Sequence, residues 1–424
     1  LYILFLTKVS KLRVLLKNLG PGLLFASMAI GTSHLVLSTK AGAQYGWVMV
    51  IPILLANVFK YPFFEFGVRY TNVTGKTLTE GYLNRGKTYL WFYGFITLVS
   101  TFTILAALYT VTAGLFINLL KVSHISIDRV ALALFCFISI LLIIGKYRFM
   151  EVSLKFIVSL LFIALLATTA VVIFKGNVEP IPDFTPPTLF DNVGILFLIS
   201  LMGWMPTTVE ASSWVSLWSV EKWKTQAKPS LSESLQEFRV GYYTTCLLAL
   251  FFLTIGCMTL YGTQTELSGN AVTFADQIVQ LFTAHIGPWA YILIAVAAFA
   301  TMFSTCMTAH DAIARVSIDI LELGLPRLKL SGNKRIFAVG VIVLALVNYI
   351  VVSSFSANMG QLVSLATFVS FVVAPIVGYM NLKNVMSDEI PQANRPKRGL
   401  RILTYAGILF LSLFSVYYFY IVVF

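Results

Sequence analysis

Eleven stretches of this chain are apolar for long enough to cross a bilayer, and they leave little room for any other kind of fold. A helix needs about 20 mostly apolar residues to span the hydrocarbon core. Stretches of that length run over roughly 20–41, 47–66, 90–119, 127–145, 150–174, 193–219, 238–262, 288–312, 335–355, 359–382 and 401–424. Backbone polar groups at membrane depth must be paired within their own segment, so each stretch reads as a helix. Composition agrees: 58% of the 424 residues are hydrophobic and 11% are charged, whereas soluble domains are about a quarter charged. The expected fold class is all-α integral membrane, with residues 1–424 forming a single transmembrane domain.

A net charge of +12 points to a nucleic-acid partner only if its distribution is ignored. Basic residues collect in the cytoplasmic loops of membrane proteins. With the N-terminus placed inside, the inner segments hold 24 of the 30 Lys and Arg residues and the outer segments 4. The expected orientation is N-terminus cytoplasmic and C-terminus outside, in the plasma (cell inner) membrane. The partner this implies is the lipid bilayer, with no nucleic acid. Leu1–Lys17 places apolar residues before basic ones, the reverse of a signal peptide. Cys136, Cys246, Cys257 and Cys306 all fall inside spans, in neither metal-ligand nor disulfide spacing.

The longest outer connection, Lys175 to Asn192, carries Pro180, Pro182, Pro186 and Pro187, which makes it stiff and extended. Five spans precede it and five matching ones follow, so the second half enters the membrane from the opposite side. Parity alone then predicts a five-plus-five inverted repeat, about 20–174 and 193–382, with 401–424 as an extra helix.

Two of the apolar stretches are interrupted at corresponding places. Gly31-Thr32-Ser33-His34 breaks the first, and Gly203-Trp204-Met205-Pro206-Thr207-Thr208 breaks the sixth. Unwound backbone at membrane depth is tolerated only where it is buried in protein or lines a cavity. A matched pair of broken helices is the best sequence pointer to a transporter's substrate site. The candidate substrate-binding residues are therefore Gly31, Thr32, Ser33, His34, Met205, Thr207, Thr208 and Glu210. His34 suits metal coordination, titration near neutral pH, or donation to a carbonyl. Met205 suits a soft cation. Glu210 follows the second break by a few residues and supplies the negative charge there. His34, Met205 and Glu210 are the candidate metal ligands.

Ionisable groups inside spans are costly and are functional hypotheses by default. Lys60, Lys155 and Asp311 are candidates for coupling or gating. Lys60 pairs with an acid or snorkels inward, and either lysine is able to exchange a proton when buried. Glu151 and Asp311 lie near inner helix ends beside Arg148 and Arg315, and Glu65 lies one turn from Arg69. Gly75-Lys76-Thr77 resembles the end of a P-loop but lacks the upstream glycine. No nucleophile–base pair or metal cluster is visible either, so neither an enzyme nor a bound cofactor is expected.

Three motifs add a resemblance. Gly20-Pro21-Gly22 through Ala41-Gly42-Ala43-Gln44-Tyr45-Gly46, Val73-Thr74-Gly75-Lys76 and Met205-Pro206 look like the first span, the loop after the second span and the sixth-span break of the Nramp family. The chain is similar to these divalent-metal transporters over most of its length, which implies a LeuT-type fold of eleven helices with helices 1 and 6 broken. The departures are specific. The family's Asp-Pro-Gly-Asn is absent, its Asp falling on Gly31 and its Asn on His34. Its sixth-span histidines fall on Thr207 and Ser212, and its third-span acids on Ala106 and Tyr109. Only Met205 carries over as a metal-ligating side chain.

The function expected is a secondary-active transporter working by alternating access, with a small cation held between the breaks. By resemblance that cation is a divalent metal, and a coupled proton is a further partner. An organic cation, amine or amino acid is the alternative from the site's chemistry, and a non-transporting membrane sensor a third reading.

Overall fold

The computed structural model describes residues 21–423 apart from 146, 264, 329, 331, 356 and 357; side chains at 21–24, 147–158, 160, 161, 282, 285, 286, 290, 422 and 423 lie outside what it describes. The side chains of Lys155 and Glu151 are among these. Every regular element among the described residues is helical. In chain order they are α1 (Pro21–Ala29), a π-helical turn (Ser33–Ser38), α2 (Thr39–Tyr45), α3 (Val50–Thr74), α4 (Leu78–Arg85), α5 (Lys87–Leu120), α6 (Ile127–Ile144), α7 (Tyr147–Lys175), α8 (Asn192–Gly203), α9 (Ala211–Trp223), α10 (Leu231–Leu260), α11 (Ala271–Ile286), α12 (Tyr291–Gly324), α13 (Lys334–Phe355), α14 (Met359–Val385) and α15 (Arg398–Val423), with short 3₁₀ turns between some of them.

Helices fall on all eleven predicted stretches. The sixth is unwound at its predicted interruption, whereas of the first, Gly31–His34, only Gly31 is non-helical and Ser33 and His34 lie in a π-helical turn. The first stretch is α1 and α2, separated at Ile30 and Gly31 and rejoined through that turn. The sixth is α8 and α9, with Trp204–Glu210 unwound between them. Among the described residues, eight helical runs are by themselves long and apolar enough to cross a membrane. The two halves of the sixth stretch are too short to be counted alone.

Two helices were not expected. Helix α4 starts at a capping box, with Thr77 accepting from the Glu80 N–H and Glu80 accepting from the Thr77 N–H, which satisfies two otherwise orphaned donors. Helix α11 starts where the Asn270 side chain accepts from the N–H groups of Val272 and Thr273.

Glycines let the broken helices approach their neighbours backbone to backbone. A Cβ on Gly42 would lie 2.1 Å from the Leu253 carbonyl oxygen, and one on Gly256 would lie 2.1 Å from that of Thr39. Helices α2 and α10 are therefore locked face to face, as small residues permit in membrane packing. Likewise a Cβ on Gly203 would meet the Thr367 carbonyl at 2.1 Å, which seats the end of α8 against α14.

On the predicted inner side, the connection after α14 clasps α3 and α4. Glu389 accepts from Lys76 Nζ (2.6 Å), Tyr70 Oη (2.8 Å), Asn84 Nδ2 (2.8 Å) and an Arg85 guanidinium nitrogen (3.3 Å). Partial burial pushes the Glu389 carboxyl up, but Lys76, Tyr70 and Arg85 outweigh it and hold it below the usual glutamate range.

Candidate functional site

The two breaks face one another across a small cavity. Its lining includes Ala29, Thr32 and Ser33 from the first break and Trp204, Thr207 and Thr208 from the second, with Met28, Ile104, Leu108, Trp214, Thr305 and Ala309 around them. The volume is about 20 Å³, enough for one water or a bare ion. Hydroxyls, a thioether and aromatic and aliphatic carbon line it, and no carboxylate or imidazole does among the described residues.

Of the eight predicted substrate-binding residues, Thr32, Ser33, Thr207 and Thr208 line this cavity, and Gly31, His34, Met205 and Glu210 do not. The reasons are local. Gly31 backs onto α12: a Cβ there would lie 2.8 Å from Thr305 Cγ2, so the backbone has closed over the space a side chain would occupy. Thr305 Oγ1 donates within reach of the Thr301, Ser27 and Ile30 carbonyls at 3.0, 3.1 and 3.4 Å, which ties α12 to the end of α1.

His34 is fully buried with both ring nitrogens engaged. Its Nε2 lies 2.9 Å from the Thr245 carbonyl, which can only accept, so Nε2 carries the proton. Its Nδ1 is then an acceptor, 2.7 Å from Ser33 Oγ. The imidazole thus pins the first break to α10. Met205 is buried in the apolar core. His34, Met205 and Glu210 are not gathered on one centre. No group of three His, Cys, Asp or Glu side chains able to hold a metal occurs among the described residues.

The charges of the second break are arranged in a way the sequence did not suggest. Lys60, from α3 and fully buried, donates to the carbonyls of Met202 (2.5 Å) and Gly203 (2.7 Å). These belong to the last turn of α8, whose final carbonyls have no partner within the helix and carry the negative end of its dipole. At the opposite end of the gap, Glu210 stands at the start of α9. It accepts from Ser100 Oγ at 2.6 Å and from Thr208 Oγ1. Glu210 and Lys60 interact electrostatically without forming an ion pair. Each half-helix end therefore has a charge of the favourable sign built in, and the two charges cancel.

The remaining candidates are paired away from the cavity. Asp311 accepts from Arg315 Nε at 2.8 and 2.9 Å and from Trp218 Nε1 at 3.0 Å, which braces α12 against α9. Glu65 holds Arg69, as expected from their spacing. Sequence reasoning missed Thr305, Met28 and Trp214 as lining residues. Nothing in their local sequence sets them apart, because they reach the cavity from an unbroken span or from a helical part of the broken ones.

Comparisons with known proteins give the family and the fold. The family model described as natural resistance-associated macrophage protein-like (Nramp) matches residues 22–421. An uncharacterized protein of Pasteurella multocida is 32% identical over 399 residues, covering 94% of this chain and 90% of its own. The divalent metal cation transporter MntH of Staphylococcus saprophyticus is 23% identical over 422 residues, covering 94% of this chain and 90% of its own. Among solved structures, a mutant of the Eremococcus coleocola manganese transporter matches with a TM-score of 0.70 at 13% identity, covering 95% of this chain and 86% of that one. MhsT in complex with L-phenylalanine matches with a TM-score of 0.65 at 13% identity, covering 95% and 98%. Both neighbours have the LeuT fold, and this chain shares it.

Proposed function

This chain belongs to the Nramp family, and from that premise we propose that it is a secondary-active transporter working by alternating access. The substrate binds between the breaks of the first and sixth spans. The protein sits in the plasma membrane with its N-terminus in the cytoplasm and its C-terminus outside, and the halves about 20–174 and 193–382 move as inverted repeats. We assign the substrate as a small organic solute, an amino acid or amine, rather than a tightly held dication.

One observation carries the substrate assignment. The Lys60 ammonium already occupies the α8 carbonyls, and Glu210 already balances it. A dication wants carboxylate oxygens around it, and none lines the cavity among the described residues. Bringing two further positive charges beside a balanced pair costs several kcal/mol at membrane depth. An organic solute needs more room than about 20 Å³, which opening of the breaks during alternating access supplies.

The divalent metal is the second reading. The MntH relative favours it, and so does a cavity of ionic size. Its ligands would be freed carbonyls and the threonine and serine hydroxyls of the lining, with Met205 turning in from the core where it is packed. Uptake into proteoliposomes separates the two, with Mn²⁺, Mg²⁺, small amines and amino acids as probes. Calorimetry with Mn²⁺ is expected to show nothing tighter than about micromolar, about −8 kcal/mol. Submicromolar binding that disappears in Met205→Ala would restore the metal reading.

A further inference from the structure

A second and much larger cavity, of about 350 Å³, opens on the predicted outer side beside the half-helices. The exit of the first break (Val36, Leu37, Lys40), α8 (Ile199, Ser200 and neighbours) and α14 (Val363, Ser364 and neighbours) form its walls. Ser200 lies one turn before the second break, and Val36 one turn after the first. This is the volume of a small-molecule pocket, and residues about one turn from each break line it.

Among the described residues, Lys40 is the one charged side chain in that lining. It is half-buried, and its electrostatic neighbour, the exposed Glu266, makes no ion pair with it. The Ser200 and Ser364 hydroxyls lining the same space also make no hydrogen bond among the described residues. The Tyr418 hydroxyl and Ser268, whose Oγ accepts from the Asn270 N–H, complete the polar lining, so the chamber offers one ammonium and several hydroxyls and no carboxylate among the described residues. A low-dielectric chamber lined by one sign of charge concentrates the opposite sign. It repels amines and metal ions and admits anionic groups.

Deeper in, Lys60 stands behind the second break and lines neither cavity. Its ammonium has three N–H donors, and two are spent on Met202 and Gly203, which leaves one without an acceptor among the described residues. The outer chamber thus offers a positive donor, and neither it nor the cavity between the breaks is lined by a carboxylate among the described residues.

We propose that the solute carried by this transporter bears a carboxylate, which Lys40 engages in the outer chamber before the solute reaches the breaks. This rests on the transporter reading above and narrows its substrate to amino acids and small organic acids, excluding simple amines.

The test is uptake into proteoliposomes of matched probes: L-alanine and lactate with their amides, ethylamine, and Mn²⁺. Wild-type protein is expected to take up at least one carboxylate probe and not its amide. Lys40→Gln should raise the KM for that probe roughly tenfold at low ionic strength, with the maximal rate little changed, and added salt should narrow the gap. Lys40→Arg should restore the wild-type KM, and Lys40→Glu should raise it further. Uptake of Mn²⁺ or ethylamine with no carboxylate probe crossing would overturn the carboxylate assignment and leave the transporter standing. An unchanged KM in both Lys40→Gln and Lys40→Glu would overturn it equally. Failure of every probe to cross would count against transport itself, and the assignment would go with it.

Discussion

Lys60 offers the sharpest perturbation in the molecule, because its partners are few and all identified. Lys60→Met keeps most of the buried volume and removes the ammonium. The carbonyls of Met202 and Gly203 then lose their donors at 2.5 and 2.7 Å, and Glu210 loses its counter-charge. Deleting one partner of a buried charged arrangement costs about 3–5 kcal/mol. Glu210→Gln is milder, because the amide still accepts from Ser100 and turns toward Thr208; about 1–2 kcal/mol is expected. The two charges form no ion pair, so their coupling lies below about 4 kcal/mol, the value for unit charges 4 Å apart at an effective dielectric near 20. A coupling of about 1–3 kcal/mol is expected from a double-mutant cycle. The assay is reversible chemical unfolding in detergent micelles of wild type, each single variant and the pair. The double variant should be less destabilised than the sum of the singles. If Lys60→Met unfolds within about 0.5 kcal/mol of wild type, or the cycle is additive, the charge-balanced break is the wrong description and the case against a dication loses its main support.

Three further outcomes follow from close contacts and charge. Gly31→Asp restores the carboxylate that the Nramp resemblance places there, but its Cβ meets Thr305 Cγ2 at 2.8 Å; it should destabilise by about 1–3 kcal/mol and create no Mn²⁺ site by calorimetry unless Thr305→Ala makes room. Gly42→Ala sets a methyl 2.1 Å from the Leu253 carbonyl oxygen and must part α2 from α10, so detergent thermostability and transport should both fall sharply, whereas Gly399→Ala, with open space around it, should leave both unchanged. Glu389 is held below the ordinary range in the folded protein, so its clasp on Lys76 and Arg85 contributes fully above the unfolded value of about 4.3 and fades as pH falls through the lower folded value. Melting points of wild type and Glu389→Gln should therefore differ at neutral pH and converge in acid; a gap that persists once the carboxylate is fully protonated would show that its charge is not what holds the clasp.

How much of this was legible beforehand follows from how local each signal is. A run of about 20 apolar residues is its own evidence, and so is a Gly or Pro interruption within it, which is why helices fall on all eleven stretches and the breaks fall at Gly31 and at Trp204–Thr208, while the π-helical turn that takes in Ser33 and His34 carries no such signal. The capping box at Thr77–Glu80 and the cap at Asn270 were readable too, but α4 and α11 are short elements between long ones and carry no span-length signal. The cavity lining was half legible: hydroxyls at the breaks were expected and found, while Thr305 arrives from α12 by packing alone. His34 and Met205 looked like ligands because of the residues beside them in sequence. Thr245, 211 residues away, decides what His34 does.

Lys60 shows why apolar runs and helix breaks do not by themselves reveal substrate chemistry. As a lysine in an apolar stretch it has three ordinary fates: snorkelling, pairing with an acid, or exchanging a proton. The structure shows a fourth, hydrogen bonding to helix-end carbonyls contributed 142 residues later. A broken helix exposes partial charges at both ends of its gap, and whatever neutralises them fixes the sign of what else fits between them. In a site that leaves those ends bare, a substrate ion completes the charge balance. Here the chain completes it from within, through Lys60 on one side and Glu210 on the other. Kinship with metal transporters fixes the scaffold and the place of the breaks, but it does not by itself carry over the cargo, because the cargo's charge depends on residues such as Lys60 that the scaffold does not dictate.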